Sequence, residues 1–119
     1  FFDGIIACNS CYYLEENTHF HDNLHEIQSK IKPGGWFIGS ILKNTHSGLI
    51  NAEYLEDGSA IIRNDQLNLR NGYRLQYAES SEHSEKMLSS YFKNITIGEF
   101  SDSILNFKRD LFYFYAEKK

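Results

Sequence analysis

The chain has 119 residues, of which 41% are hydrophobic and 24% charged, enough for one globular domain and too apolar for a disordered or collagen-like polymer. Twelve Lys and Arg against sixteen Asp and Glu leave a formal charge of -4, which argues against the broad basic footprint of a nonspecific nucleic-acid binder. No apolar run approaches the roughly 20 residues of a membrane span, residues 1–30 lack a basic start and a small-residue cleavage site, and two cysteines are too few for a disulfide scaffold; the expectation is a cytoplasmic protein with reduced thiols and no membrane partner.

The sequence opens inside an apolar run at Phe1, so the chain is expected to be part of a larger protein. Residues 2–8, centred on Ile5, Ile6 and Ala7 and followed by the turn formers Asn9 and Ser10, predict a strand buried on both faces, parallel and central in its sheet. Phe20, Leu24, Ile27 and Ile31 then fall on one face of an amphipathic helix. Asn17 or Thr18 is the expected cap, and Pro33-Gly34-Gly35 the expected stop. A second strand follows over residues 36–42, which makes a strand–helix–strand unit with its strands parallel.

From Lys43 to Ser80 the periodicity fades, and two short strands are expected around Ala60-Ile61-Ile62 and residues 73–77. Excursions of this length often form lids or binding loops. Ser80 and Ser81 offer caps for a helix over residues 82–92, with Met87, Leu88, Tyr91 and Phe92 on one side. Alternation at Ile95 and Ile97 and the aromatic run 111–116 predict two final strands, joined through residues 101–110 as an antiparallel hairpin.

The most specific pattern is Phe2-Asp3-Gly4-Ile5-Ile6-Ala7-Cys8-Asn9-Ser10, then the helix, then Ile31-Lys32-Pro33-Gly34-Gly35-Trp36-Phe37-Ile38. It resembles the second half of a class I S-adenosylmethionine-dependent methyltransferase, and the closing residues 112–118 are similar to that family's last strand. The resemblance implies an α/β, Rossmann-like half-sheet: parallel strands, a C-terminal antiparallel hairpin and flanking helices. Residues 1–119 would then be the C-terminal part of the domain, without its N-terminal cofactor-binding half. The glycine-rich turn after the family's first strand and the acidic residue that holds the cofactor ribose have no counterpart here.

Ligands in open α/β sheets bind beyond the carboxyl ends of the strands, and Ala7, Cys8 and Asn9 occupy such an end. The resemblance implies that these three line the methionine and sulfonium side of S-adenosylmethionine, with Tyr12 and Tyr13 at the mouth of the acceptor pocket. A tyrosine face near a sulfonium contributes about 0.5–2 kcal/mol by cation–π attraction. The alternative for Tyr13 is packing under the helix. No acid or base is obligatory, so no catalytic residue is assigned.

A rival pattern joins Cys8 and Cys11 to His19, His21 and His25 as a zinc set, with His21 and His25 able to face one metal from a helix, but nine residues separate Cys11 from His21, short of the finger spacing of about 12. A thioredoxin-like dithiol fails because residues 12–17 intervene before the helix. No metal is therefore expected. His46 is a candidate acceptor-side base, and Arg63, Arg70 and Arg74 are candidates for binding an anionic substrate.

The expected function is methyl transfer from S-adenosylmethionine to a small molecule, by a chain inactive alone. Its first strand should pair with the N-terminal half of the domain or with a second chain. Two alternatives remain: a non-catalytic methyltransferase-like interaction module, and a messenger-RNA cap-type methyltransferase, which residues 33–39 also resemble and which the acidic balance disfavours.

Overall fold

The computed structural model describes residues 1–119. β1 (Phe2–Ala7), the two-residue β2 (Tyr13–Leu14), α1 (Phe20–Ser29) and β3 (Ile31–Lys43) follow in order. β1 pairs with β3 in parallel, Ile5 opposite Phe37 and Ala7 opposite Gly39, so the expected strand–helix–strand unit is present. α1 buries Phe20 and Leu24, whereas Ile31 lies beyond the helix as the first residue of β3.

The cap of α1 is His19 rather than Asn17 or Thr18. Thr18 spends its hydroxyl on the Glu15 carbonyl at 2.7 Å, and Asn17 makes the preceding turn at φ 63°; the Asp22 carboxylate instead accepts the His19 N–H at 2.8 Å. Nor does Pro33-Gly34-Gly35 end the helix, which closes at Ser29. These residues form a bulge within β3, where Phe2 faces Ile31 and Gly4 already faces Trp36. Glycine is required there: Gly34 has φ +79°, and a Cβ on Gly35 would lie 2.4 Å from the Ile31 Cγ2 and 2.5 Å from the Asp3 carbonyl.

β1 is an edge strand, not a doubly buried interior one. Only β3 pairs with it, and Phe2 and Ile6 are 58% and 66% exposed while Ile5 and Ala7 pack against the core. A strand is covered on both faces only if neighbours supply both layers, and here one edge and one face of β1 are open.

The excursion is more ordered than its sequence indicates. A single 3₁₀ turn (Ser47–Leu49) is followed by β4 (Glu53–Tyr54), β5 (Ser59–Ile61) and β6 (Arg74–Ala78). The two expected strands are β5 and β6, and β4 is too short to carry a periodic signal. β6 joins the end of β3 in parallel through Leu42–Tyr77 and Lys43–Ala78, and it pairs antiparallel with β2 and β5. One edge of β3 is thus shared, β1 running along its first part and the excursion sheet taking over where β1 stops.

α2 (Ser81–Leu88) is capped by the Ser80 hydroxyl, which accepts the His83 N–H at 3.0 Å. It is shorter than residues 82–92, because Phe92 leaves the helix to open β7 (Phe92–Ile104) and fills the core at 1% exposure. β8 (Phe107–Lys118) returns antiparallel between β7 and β3. The join is only Leu105-Asn106, at φ 49° and 64°, a turn whose twist suits a hairpin. Cross-strand pairs such as Asp102 with Arg109, 2.8 Å apart, carry both strands outward through residues that read as a loop. The core centres on Phe37, whose ring lies 5.3 Å from Phe92 and 5.2 Å from Phe114. No helix is long and apolar enough to cross a membrane.

Candidate functional site at the carboxyl ends of the parallel strands

Past Ala7 the backbone turns at Asn9, φ 57°, and folds back over Ser40 of β3. Ser40 is fully buried and holds three groups of the tip. Its hydroxyl accepts the Asn9 N–H at 2.6 Å and donates to the Asn9 Oδ1 at 3.5 Å, and its carbonyl accepts the Cys11 thiol at 3.2 Å. The backbone groups of Cys8 and the Asn9 carbonyl take no hydrogen bond within the chain, so polar groups stand free beside the end of β1.

Burial pushes the Cys11 thiol up to about 12, and the thiol donates its proton to the Ser40 carbonyl. The histidines of the zinc reading are dispersed: His19 and His21 stack on each other at the start of α1, and His25 packs on Tyr91. No three His, Cys, Asp or Glu side chains converge.

Asn9, Tyr12 and Tyr13 line a cavity of about 270 Å³ together with Leu42 and His46, which end and follow β3. Ile62, Arg70, Phe107 and Leu111 close it from the excursion and from β8. Ala7 and Cys8 adjoin this cavity in the chain but do not line it. Tyr12 is 4% exposed, and burial raises its hydroxyl pKa. The Tyr13 carbonyl accepts the Asn23 side-chain amide of α1 at 3.0 Å, while the Tyr13 hydroxyl accepts the Arg70 Nε at 2.8 Å and the ring lies 4.7 Å from that of Tyr12.

His46 is not placed as a base. Its Nδ1 accepts the Gly48 N–H at 3.0 Å, which puts the proton of the neutral ring on Nε2, and burial lowers its pKa. The ring is therefore a neutral donor. Of the arginines singled out in the sequence, Arg63 pairs with Glu53 and Arg74 with Asp57, leaving only Arg70 at the cavity without a carboxylate partner.

No protein-family model matches the sequence, and no curated protein matches it either. Solved structures do match its fold. The N-methyltransferase NodS from Bradyrhizobium japonicum WM9, in complex with S-adenosyl-L-homocysteine, is 11% identical with a TM-score of 0.55, over 98% of this chain and 45% of that one. A methyltransferase from Thermotoga maritima, described as S-adenosylmethionine-dependent and a possible histamine N-methyltransferase, is 11% identical with a TM-score of 0.60, over 98% of this chain and 56% of that one. The fold is that of a class I methyltransferase half-domain. The chain spans about half the length of these two structures.

One polar cluster lies outside the residues that the sequence singles out. Asp110 of β8, its side chain 6% exposed, accepts the Thr45 hydroxyl and lies 3.3 Å from the Lys43 Nζ and 3.5 Å from the Lys108 Nζ. It ties the start of the excursion to the hairpin, behind the Phe107 and Leu111 wall of the cavity. Burial opposes the charge of Asp110, but the Thr45 hydroxyl and Lys43 outweigh it and hold its pKa below the ordinary carboxylate value. The stability this pairing contributes is in full force above the unfolded pKa of about 4 and is lost as pH falls through the lower folded value. Asp110→Asn should accordingly cost about 2 kcal/mol at neutral pH. In thermal melts the gap between wild type and variant should narrow below about pH 4; a gap independent of pH would refute the pairing.

Proposed function

We propose that this chain forms the methyl-acceptor side of an S-adenosylmethionine-dependent methyltransferase acting on a small molecule. The observation that carries the reading is the cavity shared by Asn9, Tyr12 and Tyr13, which lies past the carboxyl ends of a parallel strand pair, where open α/β sheets bind ligands. S-adenosylmethionine, when bound, supplies an activated methyl on a sulfonium that is already a good leaving group. The work left to the protein is alignment and exclusion of water.

Ala7, Cys8 and Asn9 are the residues we assign to holding the cofactor. The free backbone groups of Cys8 and the free Asn9 carbonyl fit a ligand rich in hydrogen-bonding partners, and the Ser40 clamp fixes the turn that presents them. Tyr12 and Tyr13 wall the acceptor side, with Leu42 and Leu111 keeping it dry. Anchors for the cofactor ribose are absent from these residues. We assign them to the polypeptide that completes the open edge of β1, either the first half of the same domain or a second chain.

The test is a nuclear magnetic resonance titration of the isotope-labelled chain with S-adenosylhomocysteine. Shifts at residues 7–9 with a dissociation constant weaker than micromolar are expected, because the chain supplies only part of the site. Micromolar or tighter binding would contradict the shared-anchor argument. An absence of shifts at residues 7–9 would overturn the cofactor assignment and favour the alternative that the open β1 edge supports, a non-catalytic interaction module.

A further inference from the structure

The cavity beside Asn9 combines an apolar body with one uncommitted cation. Tyr12, Leu42, Ile62 and Leu111 supply apolar walls, and at about 270 Å³ the space falls just below the roughly 300 Å³ at which pockets for drug-sized ligands begin, enough for a one- or two-ring molecule. Of the two arginines at the cavity, Arg109 is committed to Asp102 through a two-pronged ion pair. Arg70 is not. Its Nε donates to the Tyr13 hydroxyl at 2.8 Å, which orients the guanidinium, and its two terminal amino groups have no partner in the chain.

The carboxylate that also lines the cavity, Asp65, feels the charge of this cation but does not contact it. It accepts the backbone N–H groups of Leu67, Leu69 and Arg70 at 3.2, 3.0 and 3.1 Å, and it makes no ion pair with the Arg70 guanidinium. The neutral His46 ring, its proton left on Nε2, lines the same space as a second potential donor. An apolar pocket containing an oriented guanidinium and a second donor, with its own carboxylate already saturated, is complementary to a molecule that joins a ring to an anionic group.

We propose that the acceptor is an aromatic or alicyclic carboxylate, and that Arg70, held by Tyr13, is the residue that recognises its carboxylate. The inference deepens the acceptor-pocket reading and concerns the same cavity. The two free terminal amino groups of one guanidinium match the two oxygens of a carboxylate, and the nearby Asp65 charge opposes the second negative charge of a phosphate dianion.

Titration of the whole chain with naphthoate and with the isosteric neutral naphthamide tests this without any cofactor. The expected result is about tenfold tighter binding of naphthoate, the effect of one charge-assisted hydrogen bond, with resonance shifts at Asn9, His46 and Arg70. Arg70→Gln should abolish the preference and Arg70→Lys should retain part of it. Arg63→Gln, which alters a cation outside the cavity, should leave it intact. Arg70 is solvent-exposed, and unchanged resonances from β3 and β8 would verify that each variant is folded. Equal affinities for the two probes, a preference that survives Arg70→Gln, or shifts confined to another surface would each overturn the proposal, as would tighter binding of naphthyl phosphate than of naphthoate. If naphthoate binds as expected but S-adenosylhomocysteine fails to shift residues 7–9, the methyl-transfer reading falls while the anion site stands; the converse result removes only the anion site.

Discussion

Replacing Phe37 by alanine is expected to lower the unfolding free energy by about 4 kcal/mol, measured by denaturant melts followed through far-ultraviolet circular dichroism. Phe37 is fully buried and lies at the point where every layer meets: it faces Ile5 across β1 and Ala116 across β8, and its ring touches Phe92 and Phe114. Removing the ring leaves a void that rigid neighbours on two paired strands cannot collapse to fill, so the cavity adds to the lost transfer energy. A domain of this size has a total stability of about 5–15 kcal/mol, so the variant should be at or near the edge of unfolding at physiological temperature. Phe37→Leu keeps most of the volume and should cost less than half as much. A loss below about 1 kcal/mol for Phe37→Ala would mean that this ring is not central to the core.

The second large effect concerns the open edge of β1. Six residues present one unpaired row of backbone groups, with Phe2 and Ile6 exposed beside it. Such an edge is a template for another strand. The chain by itself should therefore self-associate in sedimentation or light-scattering measurements. Ile6→Lys should weaken that association by roughly tenfold or more, since a charge on an edge strand opposes pairing. Leu105→Lys, at the exposed hairpin tip on a different part of the sheet, should leave it unchanged. A monodisperse monomer at high concentration would show that the edge is protected and would weaken the case for a polypeptide completing it.

Much of the architecture was legible because it is written in local periodicity. Ile5, Ile6 and Ala7 mark a strand, Phe20 and Leu24 a helix face, and the aromatic run through Phe112 and Phe114 the last strand. Where local signals were ambiguous the reading went astray. Ile31 continues the helical spacing of Leu24 and Ile27, yet pairing with Phe2 draws it into a strand. The turn-forming Pro33-Gly34-Gly35 was absorbed into that strand as a bulge because β1 lies alongside it. Residues 101–104 read as a loop and are a strand, since each has a cross-strand partner in β8.

The candidate site divides in the same way. The resemblance implies Ala7, Cys8, Asn9, Tyr12 and Tyr13; of these, Asn9, Tyr12 and Tyr13 line one cavity and Ala7 and Cys8 do not. Ser40 went unremarked within an apolar strand, and Asp110 within a charged stretch. Both matter through contacts 31 residues away in one case and 65 in the other. His46 was a candidate base on residue type alone, and a single backbone contact from Gly48 made it a donor.

What the amino-acid order determined by itself was the succession of elements, the parallel pairing of the first long strands and the identity of the residues at their carboxyl ends, because hydrophobic spacing and turn chemistry act over a few neighbours. Only the folded chain decided that β1 is left with a free edge, that Ser40 pins the turn after it, and that Arg70 reaches Tyr13 across 57 residues. Those facts depend on which distant segments come together and on which charges are already neutralised when they do, and no short stretch of sequence contains that information.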